Sequence, residues 1–147
     1  PMTMILPEHP DKPGVLGLLH LGYWRPLKPT GPMLDGSGSR WAGEDYLLAS
    51  YERSKHLPDP REHVDASWSP VERSRVVQYL RAGKVVESWR GWSSCRFGGC
   101  QAAHAELGCQ DLGDGTFVWP EGFAHYVEHH GVRPPEEFVQ HIMRVQP

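Results

Sequence analysis

Proline and glycine cut this chain into pieces too short for a long helix or a wide strand. Together they account for 30 of its 147 residues. Proline has no N–H to donate and fixes its own φ, while glycine readily takes the left-handed turn that ends a helix. Elements must therefore fit between these residues. Residues 1–42 carry seven of the fourteen prolines and six of the sixteen glycines. In that arm only Val15 to Leu21 reads as a short apolar element. The irregular stretch "RPLKPTGPMLDGSGSRWAG" is expected to run over the surface, pinned by Trp24 and Trp41 at its flanks.

Beyond the arm the periods are clearer. Glu44 to Ser54 can form a helix, with Leu47, Leu48 and Tyr51 on one side. "SPVERSRVVQYLRAG" carries a complete helix signature. Ser69 is placed to cap, Pro70 suits the first helical position, and Glu72 falls where a capping box needs it. Val71, Val76, Val77 and Leu80 form the apolar stripe, and Gly83 is expected to end the helix. "KVVESWRGW" reads as a strand, and "QDLGDGTFVW" as a hairpin turning at Asp114–Gly115. Pro120 is expected to open a helix that Gly131 closes, with Phe123, Tyr126, Val127 and His130 on its apolar face. A last amphipathic helix after Pro134–Pro135 would bury Phe138, Val139, Ile142 and Met143. The pattern predicts an α+β fold, with several helices around a small antiparallel sheet. Residues 1–147 read as a single domain: a proline/glycine-rich arm over 1–42 and an α+β core over 43–147.

Composition excludes several classes. The formal charge is −3, so no basic excess points to nucleic acid or membrane. No apolar run approaches the roughly 18 residues of a membrane span. The opening residues lack a basic start followed by a long apolar stretch, so no secretory signal is expected, and Pro1 before Met2 reads as a cleavage scar. The three cysteines, all between Cys95 and Cys109, are odd in number and clustered. That suits reduced thiols in the cytoplasm better than a disulfide framework.

The same region carries the chemistry. From Phe97 to Val132 there is no Lys or Arg, against five carboxylates and four histidines. Such a segment suits a cation. Cys95 and Cys100 are spaced C-x4-C around two glycines, which lets the backbone fold sharply. His125 and His129 lie one helical turn apart on the expected helix, nearly opposite its apolar face. Two cysteines and two histidines complete a closed tetrahedral zinc site, so Cys95, Cys100, His125 and His129 are the expected ligands. Cys109 or His104 could replace Cys100 as the fourth. The order of knuckle, hairpin and ligand helix is that of a treble-clef-like zinc knuckle in the C-terminal half.

"WRGWSSCRF" followed by "DGTFVWPEGFAHYVEHHGVRPPEEF" resembles a family of small, uncharacterised bacterial proteins. In that family a strand ends in C-R-x-C-G, and D-G-x-x-x-W-P-E-G-x-x-H-Y-x-x-x-H-x-V-x-x-P follows. The resemblance covers roughly Leu57 to His141 and brings no activity with it. It implies ligand positions at Cys95, His125 and His129. The chain departs from the pattern at Gly98, where the second cysteine would stand, and Cys100 is placed to take over.

The expected function is a zinc-stabilised module that binds an unknown protein partner, with Trp24, Trp41 and Trp92 as candidate anchors. A metal-dependent enzyme of hydrolase type would need only Cys95, His125 and His129, with Glu121 or Glu128 as general base. "HYVEH" is not the H-E-x-x-H of a zinc protease. Cysteine nucleophile chemistry would rest on Cys95 beside Arg96. A nucleic-acid-binding domain would use Arg73, Arg75, Arg81, Lys84 and Arg90, although helix arginines are more often a solvated face.

Overall fold

The computed structural model describes residues 4–11, 17–28, 43–90, 93–102 and 104–146. Its first strand, β1 (Leu19–His20), comes from the arm. Helix α1 (Gly43–Ser54), a 3-10 turn (Pro60–His63) and helix α2 (Pro70–Arg81) follow. Strand β2 (Lys84–Ser88), the short helix α3 (His104–Leu107) and the strands β3 (Gln110–Gly113) and β4 (Phe117–Pro120) complete the middle. Helices α4 (Phe123–His130) and α5 (Glu136–Val145) close the chain.

The fold is α+β as expected, with one change in the sheet. Strands β2, β3 and β4 form an antiparallel meander in the order β1-β4-β3-β2, but β1 joins β4 in parallel, Leu19 opposite Phe117 and His20 opposite Val118. The sheet is therefore mixed. Periodicity could not show this, because two residues of arm carry no period to read. The hairpin turns where Asp-Gly predicts: Gly115 takes φ +94°, and Asp114 Oδ1 accepts the N–H groups of Thr116 and Phe117.

Helix α2 starts as its sequence dictates. The Ser69 hydroxyl accepts the Glu72 N–H at 3.3 Å, and Pro70 stands at the first position. Only half of the capping box forms, because the Glu72 carboxylate accepts the Trp68 indole N–H instead. Val76, Val77 and Leu80 are buried, whereas Val71 is 72% exposed and lies off the stripe. Gly83 does not end the helix in a left-handed turn; Ala82 caps it at φ −89°. Glycine is needed at 83 for space, since a Cβ there would lie 2.6 Å from the Trp119 ring. Pro120 likewise ends β4 rather than opening α4, and Gly122 is the helix cap. Gly131 closes α4 in the left-handed conformation, as expected.

The core gathers Leu21 and Trp24 of the arm, Val76 and Leu80 of α2, Trp119 of β4, Phe123 and Val127 of α4, and Phe138 and Ile142 of α5. Trp119 donates its indole N–H to the Leu80 carbonyl, so the largest buried ring leaves no polar atom unpaired. Trp24 is only 5% exposed, which removes it as a docking anchor. Trp41 and Trp92 lie outside the described residues, as do Val15 and Leu16 of the apolar stretch expected over Val15 to Leu21, whose end forms β1 and buries Leu21.

A buried carboxylate ties the arm to the sheet. Asp111 on β3 is 3% exposed and accepts from Tyr23 Oη (3.0 Å), Trp89 Nε1 (2.7 Å) and His9 Nε2 (2.9 Å). His9 Nδ1 in turn accepts the Asp11 N–H, which assigns the donor proton to Nε2. Burial and the neighbouring Asp111 charge push the Tyr23 phenol far above its ordinary range, so it stays a donor.

Two substitutions test this frame. Ser69→Ala should cost about 1 kcal/mol, the ordinary worth of an N-cap. Asp111→Ala should cost about 3 kcal/mol, because it strands two buried donors, His9 and Tyr23, and frees the Trp89 indole. Urea unfolding measures both, and limited proteolysis should cut the arm of the Asp111 variant while sparing the parent chain.

Candidate metal centre

Between β2 and α3 the chain makes a tight knuckle. The Cys100 N–H donates to the Phe97 carbonyl, and Gly99 takes φ +82°, which a side chain would resist. The knuckle is seated on α4. The Arg96 N–H donates to the Tyr126 hydroxyl at 2.8 Å, and the Phe97 ring stacks on the His130 imidazole, 4.0 Å between centroids and 2° between planes.

This seating brings four donors together. Cys95 Sγ lies 3.4 Å from His130 Nε2, and Cys100 Sγ lies 3.5 Å from His125 Nε2. One ligand atom from each of Cys95, Cys100, His125 and His130 falls within 4.8 Å of the others. Zinc bonds of about 2.3 Å to sulfur and 2.0–2.1 Å to nitrogen, at tetrahedral angles, place sulfur and nitrogen about 3.6 Å apart. The two measured sulfur–nitrogen distances meet that geometry. The cluster could hold a metal ion.

Three of the four expected ligands, Cys95, Cys100 and His125, are brought together. His129 is not among them, and His130 stands in the fourth place. The His129 ring turns outward to carboxylates, with Nε2 3.0 Å from Glu106 Oε1 and 3.2 Å from Glu128 Oε1. Helical spacing places His130 on the apolar face with Phe123, Tyr126 and Val127. It does lie there, but at the end of the helix that face is covered by the knuckle rather than by the core. A signal for it stood in the sequence: counted from His125, the resembled pattern H-Y-x-x-x-H-x-V puts its second histidine at 130 and its valine at 132. Cys109 is not in the cluster, and the His104 side chain lies outside the described residues.

Glu106, Glu121 and Glu128 have other partners. Glu106 Oε1 is 2.9 Å from His125 Nδ1 as well as 3.0 Å from His129 Nε2. The bond from His125 holds the Glu106 carboxyl below its usual range. Glu106, His125 and His129 also form a group that could hold an ion. Tetrahedral zinc would separate such nitrogen and oxygen ligands by about 3.3 Å. The observed spacings are those of hydrogen bonds. Glu121 accepts the Cys109 N–H, and Glu128 is engaged by both terminal nitrogens of Arg81, so the two candidate general bases are already occupied.

The electrostatics favour a cation over a free nucleophile. Burial pushes the Cys95 thiol up, and the adjacent Cys100 adds to this against the Phe97 N–H that points at the sulfur. An activated cysteine needs the reverse. The Arg96 guanidinium is turned to Ser94. Burial and repulsion from His125 and His129 lower His130, keeping it neutral and able to ligate. A cavity of about 520 Å³ opens beside the knuckle, lined by His9, Tyr23, Arg96, Cys109 and Asp111 among others. Both ring nitrogens of His9 are occupied there, so it is no general base.

Fold and site define a small α+β protein with a Cys/His cluster that could hold a metal ion. Residues 60–143 match the model of a domain of unknown function, DUF7919. That span exceeds half of the chain, and the chain belongs to this family. It contains all four clustered residues and Glu106, and leaves out the arm and α1. No curated protein and no solved structure gives a significant match. Among the described residues, no helix is long and apolar enough to cross a membrane.

The two neighbouring histidines should separate in titration. His130→Ala should weaken zinc binding by at least about tenfold, as loss of a direct ligand must. His129→Ala should stay within a few-fold of the parent chain. Competition against a zinc-binding dye measures both.

Proposed function

We propose that this chain is a zinc-stabilised module of one domain, a cytoplasmic bacterial protein that acts by binding a protein partner. The observation that carries the reading is the spacing of Cys95, Cys100, His125 and His130 at distances suited to one tetrahedral ion. With all four bound, no position remains for water or substrate, so the ion serves structure. The order of knuckle, hairpin and helix supports a treble-clef-like arrangement. The metal would reinforce the seating of the knuckle on α4 that the Arg96–Tyr126 hydrogen bond and the Phe97–His130 stack already provide. Arm residues Leu21 and Trp24 in the common core support reading 1–147 as one unit.

Elemental analysis of chain purified without added metal tests this directly. About one zinc per chain is expected, and chelation should lower the melting temperature. Metal-free protein with unchanged stability would overturn the proposal.

The pH dependence has a definite sign. Ligation requires thiolates and neutral imidazoles, so protons compete with the metal. The Cys95 thiol is pushed up and must lose its proton on binding. Zinc affinity should therefore fall at least about tenfold for each unit from pH 8 to pH 6. In the metal-free chain the lowered His130 means that the folded state binds fewer protons than the unfolded one. Stability should then also fall as pH drops through the imidazole range. A flat zinc affinity over that interval would exclude thiolate ligands.

A further inference from the structure

We infer that Glu106 is a positioning residue for the metal centre, acting through His125; the inference rests on the metal reading above. A neutral imidazole carries one proton and one lone pair, on different nitrogens. His125 must present its lone pair to the cysteines. Its Nε2 faces Cys100 Sγ at 3.5 Å, and its Nδ1 faces Glu106 Oε1 at 2.9 Å. An ionised carboxylate only accepts, so Nδ1 carries the proton and Nε2 the lone pair. The ring is 3% exposed, so water does not compete for Nδ1.

The chain supplies this carboxylate through a separate element. Helix α3 is a single turn between the knuckle and the hairpin, and it packs on α4. It brings Glu106 to the side of His125 away from the cysteines. The same oxygen also contacts His129 Nε2, which gives His129 a place behind the ligand rather than on the metal. The two ligating imidazoles are thus oriented by different means. Phe97 stacking sets His130, and a charged hydrogen bond sets His125. A carboxylate behind a ligating histidine fixes its tautomer and strengthens it as a donor, and its loss typically weakens metal binding 10- to 100-fold.

Cobalt(II) titration of the reduced full-length chain, followed by zinc competition, tests the assignment. The parent chain should show thiolate-to-cobalt charge transfer and the intense visible bands of a tetrahedral site. Glu106→Ala should keep bands of that kind but bind about 10- to 100-fold more weakly. Glu106→Gln, whose amide oxygen can accept the same Nδ1 proton, should recover most of the affinity. Far-ultraviolet circular dichroism should show both variants folded. Equal affinity in Glu106→Ala and the parent would overturn the inference. Equal, near-complete loss in both variants would overturn it in another way, by making Glu106 a ligand. Absence of the thiolate band in the parent chain itself would remove the metal reading and this inference with it.

Discussion

Helix α4 is eight residues long and buries its first five residues, and most of the structure is arranged to make that possible. Phe123, Ala124, His125, Tyr126 and Val127 are all buried. One side packs against α2, where Val76 and Leu80 meet it in the core. The other side is covered by the knuckle and α3. A buried apolar side needs only contact, but a buried side bearing imidazoles and a phenol needs partners for each polar atom. Tyr126 finds the Arg96 N–H, His125 finds Glu106 and Cys100, and His130 finds Cys95. The knuckle is polar for this reason. A layer of plain hydrocarbon over α4 would leave these groups unsatisfied.

The same logic, with a carboxylate at its centre, joins the arm. Asp111 sits on the middle strand of the meander and takes two donors from the arm, His9 and Tyr23, and one, Trp89, from the segment after β2. Gly22, just before that tyrosine, takes φ +82° and lets the Phe123 ring approach where a Cβ would lie 2.7 Å away. The arm thus reaches α4 as well as the sheet. The described residues of the arm are held at sites that the sheet and α4 provide.

Both polar clusters lie where segments distant in sequence converge. His9 and Asp111 are 102 residues apart, and Cys95 and His130 are 35 apart. The clusters also differ in kind. At Asp111 the carboxylate is met by three donors of the protein itself. At the cysteines two thiols and two imidazole nitrogens face one another, four groups rich in lone pairs, and a cation satisfies all of them at once. That difference separates a structural polar core from a candidate metal centre.

Local chemistry was legible wherever one residue type acts on its immediate neighbours. Ser69 and Pro70 began α2, Asp114–Gly115 turned the hairpin, and Gly131 ended α4, because caps and turns depend on groups two to four residues away. The α+β class followed from the same short-range periods, and residue type and spacing marked Cys95, Cys100 and His125 as candidates before packing brought them together. Tertiary structure decided the rest. It moved the fourth donor from His129 to His130, since helical spacing says which side chains share a face but not what covers that face. It gave Gly83 a packing role against Trp119 and set β1 parallel to β4, neither of which any local period encodes. It also delivered Glu106 to the far nitrogen of His125, a contact across 19 residues that no spacing announces. The sequence by itself determined the cap at Ser69, the turn at Asp114–Gly115 and the stop at Gly131, because those signals act through the backbone nearby. Which polar atoms meet was left to packing, which alone brings distant segments within hydrogen-bond reach.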